Sequence, residues 1–483
     1  MSIKLMNNSI KLLSLVLMSS ACAYGAPSYE DCIPEGIDIV KKVKIKGSLK
    51  RVVDHKAVIG ANSVKHKGHG VKVFVFDSAY DPYSDVKNMS ESFMATLPAE
   101  GSPEALKRRA AAQGKGHNHA NHVTSTIAGP EGIAPEAEVH VIDFKHDPAL
   151  KDAITYDDKF VAAIDKVIAS KKREQALFEQ NTDETKEFNS HTFVNISMRL
   201  THGDAAISER VQKALLTAAL QHGIGFVKSG GNDGETTGDT PYTRSLAELL
   251  VKMNGGMRIA VSSKYGKNGR EVISNFSNKA GIAKEFTLTA PGEDILAHGA
   301  NNEPVPMSGT SMAAPSVTGA AANLASANPQ LTTAEVFSLM DRTARKESLD
   351  GQQLDENQYG HGVIQVKDAN ARGKKERDMF FSLPMDEEQD LTNLQADEDG
   401  IYEIPYEEPA PVVKLKEEPK KVAAPAAKKV VATEPAQKAA PKSIAAKAVG
   451  VVKTIASAGV NVAKSAYYVA SSAVKAAGSW FGY

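Results

Sequence analysis

The sequence predicts an α/β protein built on a parallel β-sheet with helices on both faces, followed by a disordered linker and a C-terminal amphipathic helical tail. Three observations lead there. Between about residues 57 and 372, short apolar runs alternate with amphipathic stretches and are separated by Gly, Pro and Asn, the pattern of strands joined by crossover helices. Beyond residue 372 the composition turns acidic and then rich in Pro, Ala and Lys, which cannot bury enough apolar surface to order itself. The chain has 483 residues, 42% hydrophobic and 24% charged, so it can bury one large core and is neither a polytopic membrane protein nor wholly disordered.

Lys4 and Lys11 precede the apolar run 12–18 and the small-residue stretch 19–26, the layout of a secretory signal peptide. The expected signal is residues 1–23, and the protein is expected to be exported: periplasmic, cell-envelope or secreted. A lipidated Cys22 is the alternative, although Ser19 stands where such signals carry Leu. Cys22 and Cys32, the only cysteines, cannot form a disulfide framework or a Cys-rich metal site. Residues 24–56 read as a short N-terminal segment or pro-segment.

Strands are expected at 71–76 (VKVFVF), 139–144 (VHVIDF), 193–198 (FVNISM), 225–227 and 258–261. Apolar residues at helical spacing predict core-packing helices at 158–170 and 208–221. Residues 89–115 and 170–190 read as charged surface insertions. The linker, 373–442, includes ten acidic residues and no Lys or Arg between 385 and 408.

In the tail, 443–483, the lysines Lys453, Lys464 and Lys475 continue an eleven-residue spacing begun at Lys442, which places them on one face of a nearly straight helix. Trp480, Phe481 and Tyr483 end that tail, so an anionic membrane surface is its expected partner. An Ala-rich low-complexity tail is the plainer alternative, favoured by Gly450, Gly459 and Gly478. With 57 Lys+Arg against 58 Asp+Glu, the formal net charge is −1, and no chain-wide field draws in nucleic acid.

Four residues carry chemistry. Ser311 follows glycine in MSGTSMAAP and precedes the small residues Gly319 to Ala322. A serine at a helix start has its own N–H aimed at an oxyanion formed there. Asn232, in SGGNDG after a strand, sits where a glycine turn can present its amide as a second donor. Asp77 closes a strand and His119 opens a helix, and such a carboxylate can fix the imidazole tautomer for general-base work. Singly, these residues are ordinary turn formers or solvated histidines. Together they form an Asp, His, Asn, Ser series, each at an element boundary.

That series and its motifs resemble the subtilisin-like serine proteases, or subtilases. The most specific match is GTSMAAP at 309–315; stretches around Phe76-Asp77-Ser78, 119–123, 132–135, 194–197, 274–277, 290–292 and 359–362 agree in order. The resemblance covers about 57–372, implying a catalytic domain there. It implies peptide-bond hydrolysis of a protein or peptide substrate through an acyl-enzyme. Ser311 would be the nucleophile, His119 the general acid/base, Asp77 its orienting residue and Asn232 the oxyanion donor. Ser197, Met198, Arg199 and Gly230 would bind substrate; no metal or other cofactor is implied.

Several positions depart from the family. Ala79 replaces a glycine, and Ala120 and Asn121 replace Gly-Thr after the histidine, which sets a larger side chain near the imidazole. Arg199 and Leu200 stand where the family has Gly-Gly, so an acidic or small substrate side chain is expected near Arg199. Lys228 reads as a lysine snorkelling from a strand end. The short connection from His119 to Val139 lacks a loop that holds tight calcium in many members, so no strong calcium dependence is expected. The competing reading is a catalytically silent fold serving as a binding module of the cell envelope.

Overall fold

The computed structural model describes residues 39–382, apart from 82–84, 96, 100, 114–117, 148–149, 180–190 and 267–268. The predicted signal peptide, the tail, both cysteines and the linker beyond 382 lie outside the described residues.

The described part begins with a hairpin of β1 (Val40–Ile45) and β2 (Ser48–Val53). Its two-residue turn, Lys46-Gly47, has φ of 47° and 82°, the left-handed pair that matches the twist of the flanking strands. The main sheet follows. It comprises β3 (Lys72–Asp77), β4 (Glu138–Asp143), β5 (Thr192–Ile196), β6 (Gly225–Ser229), β7 (Met257–Tyr265), β8 (Glu271–Ile273) and β9 (Thr287–Pro291). The order is β4-β3-β5-β6-β7-β8, with β9 also beside β7; only the β7–β8 pair is antiparallel. The remaining strands, β10 (Ile295–His298) and β11 (Pro304–Met307), join the hairpin in a small second sheet ordered β1-β2-β10-β11.

Eight longer helices are described: α1 (Pro103–Gln113), α2 (His119–Ala128), α3 (Tyr156–Glu179), α4 (Glu209–His222), α5 (Pro241–Lys252), α6 (Thr310–Ala327), α7 (Thr333–Thr343) and α8 (Val366–Ser382). Local chemistry sets their ends. Ser208 caps α4 by accepting from Val211 N, and Gly223, at φ 62°, closes it. Thr240 forms a capping box ahead of Pro241.

Apolar residues on both sheet faces make two cores. One joins β3, β4 and β7 to α2, α6 and α7 through residues such as Val73, Val123, Val317 and Phe337; the other packs Phe74, Phe76, Phe226 and Ile259 against α3, α4 and α5. The strands buried on both faces explain the continuous apolar runs seen in the sequence. In α6, a Cβ on Gly319 would lie 2.8 Å from Ile133 Cβ, so glycine is what lets this helix approach so closely.

The five predicted strands are present with ends shifted by a few residues. The helix predicted at 158–170 runs to Glu179 and absorbs half of the stretch read as an insertion. The other supposed insertion is woven in: Met89 bridges Val139 in parallel, and α1 follows. The last helix, α8, continues ten residues past the expected domain end at 372. The reading of Lys228 is corrected. It lies inside β6 and is 1% exposed, because its stem follows the buried face shared with Phe226 instead of reaching solvent.

Candidate active site

The functional residues collect at the carboxyl edge of the parallel strands, where open α/β sheets bind ligands. Asp77 is the last residue of β3 and is buried. Its Oδ1 accepts from Ser78 N at 2.7 Å and its Oδ2 accepts from His119 Nδ1 at 2.8 Å. A carboxylate can only accept, so Nδ1 carries the proton and Nε2 is left as the basic nitrogen. His119 is the first residue of α2. Burial works against its charge, but the adjacent Asp77 outweighs that and raises its pKa above the usual 6.5.

Ser311 is the second residue of α6 and is buried. Its hydroxyl donates to Ser197 O at 3.3 Å, while Ser197 Oγ donates to Ser311 O at 3.1 Å. Asn195 Nδ2 in turn holds Ser197 Oγ at 2.9 Å. The helix that carries Ser311 packs on α2, whose first residue is His119.

Asn232 follows β6 in the turn Gly230-Gly231-Asn232, and its side-chain oxygen accepts from both Thr310 N and Thr310 Oγ1 at 2.9 Å. Those two bonds fix the amide so that its NH2 faces the other way. A Cβ built on Gly309 would lie 3.6 Å from Asn232 Nδ2 and 3.6 Å from Ser311 N. Asn232 Nδ2 and Ser311 N therefore both lie near Gly309, at the start of α6.

Of the four residues expected to bind substrate, Ser197 ties β5 to the start of α6, and Met198 packs on the second core. Gly230 is buried, with its N donating to Ala260 O at 2.8 Å and its O accepting from Asn278 Nδ2 at 3.2 Å. Arg199 donates to Gly203 O and Asp204 Oδ1 at 2.9 and 2.7 Å, pairs with Asp233, and lies over the Tyr242 ring at 5.1 Å. Its charge is thus matched by the chain's own carboxylates. Asn121 does not crowd the imidazole: its Oδ1 accepts from Asp81 N at 2.8 Å and its Nδ2 donates to Asp81 O at 2.9 Å.

Several supporting residues escaped the sequence reading. Asp143, in register with Asp77, accepts from Ala79 N and Tyr80 N at 2.9 and 3.1 Å. It thereby holds the left-handed turn at Ala79, whose φ is 59°, a conformation costing a non-glycine residue about 1–2 kcal/mol. Burial raises its pKa, but the bonds from His146 and from the backbone N–H groups of Ala79 and Lys145 prevail and lower it. The acid that closes the run EVHVID was the available signal. Thr310, which orients Asn232, gave none beyond its place in GTS.

A family model described as the subtilase family matches residues 68–362. The chain belongs to the subtilase family, a family of serine endopeptidases. Subtilase relatives include fervidolysin of Fervidobacterium pennivorans, 28% identical over 280 residues, covering 53% of this chain but 35% of fervidolysin. Subtilisin NAT of Bacillus subtilis subsp. natto is 26% identical over 356 residues, covering 71% of this chain and 73% of that protein. The chain thus spans about a third of fervidolysin's length. Among solved structures, sphericase is similar at 20% identity with a TM-score of 0.45, covering 64% of this chain and 96% of that one.

Proposed function

We propose that the protein is a serine endopeptidase in which Ser311 attacks the scissile carbonyl, His119 Nε2 takes its proton and later returns it to the leaving amine, and Asp77 holds the imidazole. The observation that carries this reading is the 2.8 Å bond between His119 Nδ1 and Asp77 Oδ2, which fixes the tautomer that general-base catalysis needs. Ser311 Oγ must leave Ser197 O and turn to the imidazole. Asn232 Nδ2 and Ser311 N then donate to the tetrahedral oxyanion. Water repeats the sequence to hydrolyse the acyl-enzyme.

Ser197, Met198, Arg199 and Gly230 line the path of the substrate chain in this reading. Residues 57–372 with the hairpin and α8 form the catalytic unit. Residues 1–23 direct export, 24–56 supply the N-terminal segment, 373–442 link, and 443–483 engage an anionic membrane surface; all but the hairpin-bearing part of 24–56 and the first part of the linker lie outside the described residues. No helix among the described residues is long and apolar enough to cross a membrane.

The test is hydrolysis of an unstructured protein substrate by purified variants. Ser311→Ala and His119→Ala are expected to abolish turnover, and Asn232→Ala to lower kcat by about 10²–10³-fold with a smaller change in KM. Full activity in Ser311→Ala would refute the reading.

A further inference from the structure

Lys228 has no part in the mechanism above, yet it is the most unusual side chain near it. It is the fourth residue of β6, in register with Ile196 of β5 and Ile259 of β7, both members of the apolar core on that face. The stem runs toward the carboxyl edge, and the amine donates to Ser229 O and, at 3.1 Å, to Ser229 Oγ. An ammonium has three protons to donate; two find acceptors, and among the described residues no carboxylate is bonded to it.

The charges acting on it are Arg199 from the segment after β5 and Asp233 from the segment after β6. Asp233 and Asp204 are bound by Arg199, and Tyr242 OH accepts from Leu200 N at 3.4 Å. With its neighbours so matched, burial lowers the pKa of Lys228 to about 7, Arg199 adding to the effect and Asp233 opposing it. A cation in such a place is costly unless something brings it a carboxylate. The Ser197-Met198-Arg199 segment and the Gly230-Gly231-Asn232 turn follow β5 and β6 directly beyond this register, and they carry the oxygen that the Ser311 hydroxyl bonds and the Asn232 amide.

We propose that Lys228 is a specificity-determining residue and that the substrate class is peptides with an acidic side chain, Glu or Asp, on the acyl side of the scissile bond. The proposal rests on the peptidase reading. The side chain of that residue enters between the two segments, and its carboxylate accepts the third ammonium proton. Arg199, already held by Asp204 and Asp233, shapes the wall and keeps those acids from taking Lys228 themselves. This replaces Arg199 with Lys228 as the residue that reads charge.

The experiment measures kcat/KM of the full chain on matched fluorogenic peptides that carry Glu, Asp, Gln, Leu or Lys at that position, alongside labelling by a generic fluorophosphonate. The expected result is a preference for Glu or Asp over Gln of about 100-fold, falling to near unity in Lys228→Met, with a melting temperature at or above that of the wild type. Lys228→Arg should retain part of the preference. Wild-type protein that takes up the fluorophosphonate but cleaves Gln and Leu peptides as well as Glu overturns the proposal alone, and needs no variant to do so. Wild-type protein that takes up no probe overturns the peptidase reading and this proposal with it.

Discussion

His119 joins opposing demands on one residue. Catalysis needs Nε2 neutral, while Asp77 favours the charged ring and raises its pKa above 6.5 against the effect of burial. Activity should therefore rise with pH through a value above 6.5, read as the acid limb of a kcat/KM profile. Stability runs the other way. The pair's contribution is fully present below 6.5 and is lost as pH climbs through the raised value. Asp77→Asn should shift the acid limb downward and cut kcat by about 10⁴-fold; an unshifted limb would remove Asp77 from this role. Asp77, His119, Asn232 and Ser311 were legible in the sequence because each stands at or just beyond the end of an element, in a motif whose order the chain keeps. The direction a side chain takes was not: Asn121 turns to the Asp81 backbone, and Lys228 turns inward because Ser229 supplies acceptors at the strand tip.

The β1–β2 hairpin does more than extend the fold. Arg51 donates to Asp294 and to Tyr265 O, and Val53 N donates to Asp294 O at 2.9 Å. Asp294 N donates to Ser308 Oγ at 3.0 Å, three residues before Ser311, so the hairpin reaches the nucleophile loop through one residue. Arg51→Ala should slow labelling of Ser311 by roughly 10-fold; the rate constant for fluorophosphonate labelling, compared with the melting temperature, separates this from general loss of fold. The hairpin was hidden in the sequence because Lys at 41, 42, 44, 46 and 50 masks the alternation of Val43 and Ile45, and because β2 is ordered by β10, some 240 residues away. The short strands β8 to β11 were missed for the same reason: their pairing, not their composition, makes them strands.

Across the molecule, several histidines are buried as neutral rings. Burial lowers the pKa of His55 and His191 to about 4 and of His122 and His140 to about 3. The unfolded chain binds protons on these groups near 6.5, so stability should fall as pH drops from 6.5 toward 4. Urea titrations across that range would show it, and a stability independent of pH there would contradict the neutral assignment. The parallel sheet itself was plain in the sequence, since strands covered on both faces read as unbroken apolar runs; its small partner sheet depends on contacts between distant segments and left no such trace. An assembled Asp77–His119–Ser311 centre is tested by fluorophosphonate labelling of the purified protein beside Ser311→Ala and His119→Ala. Labelling of the wild type that both substitutions abolish is the predicted result; a folded wild-type protein that takes up no probe, or a Ser311→Ala variant that labels equally, would contradict it.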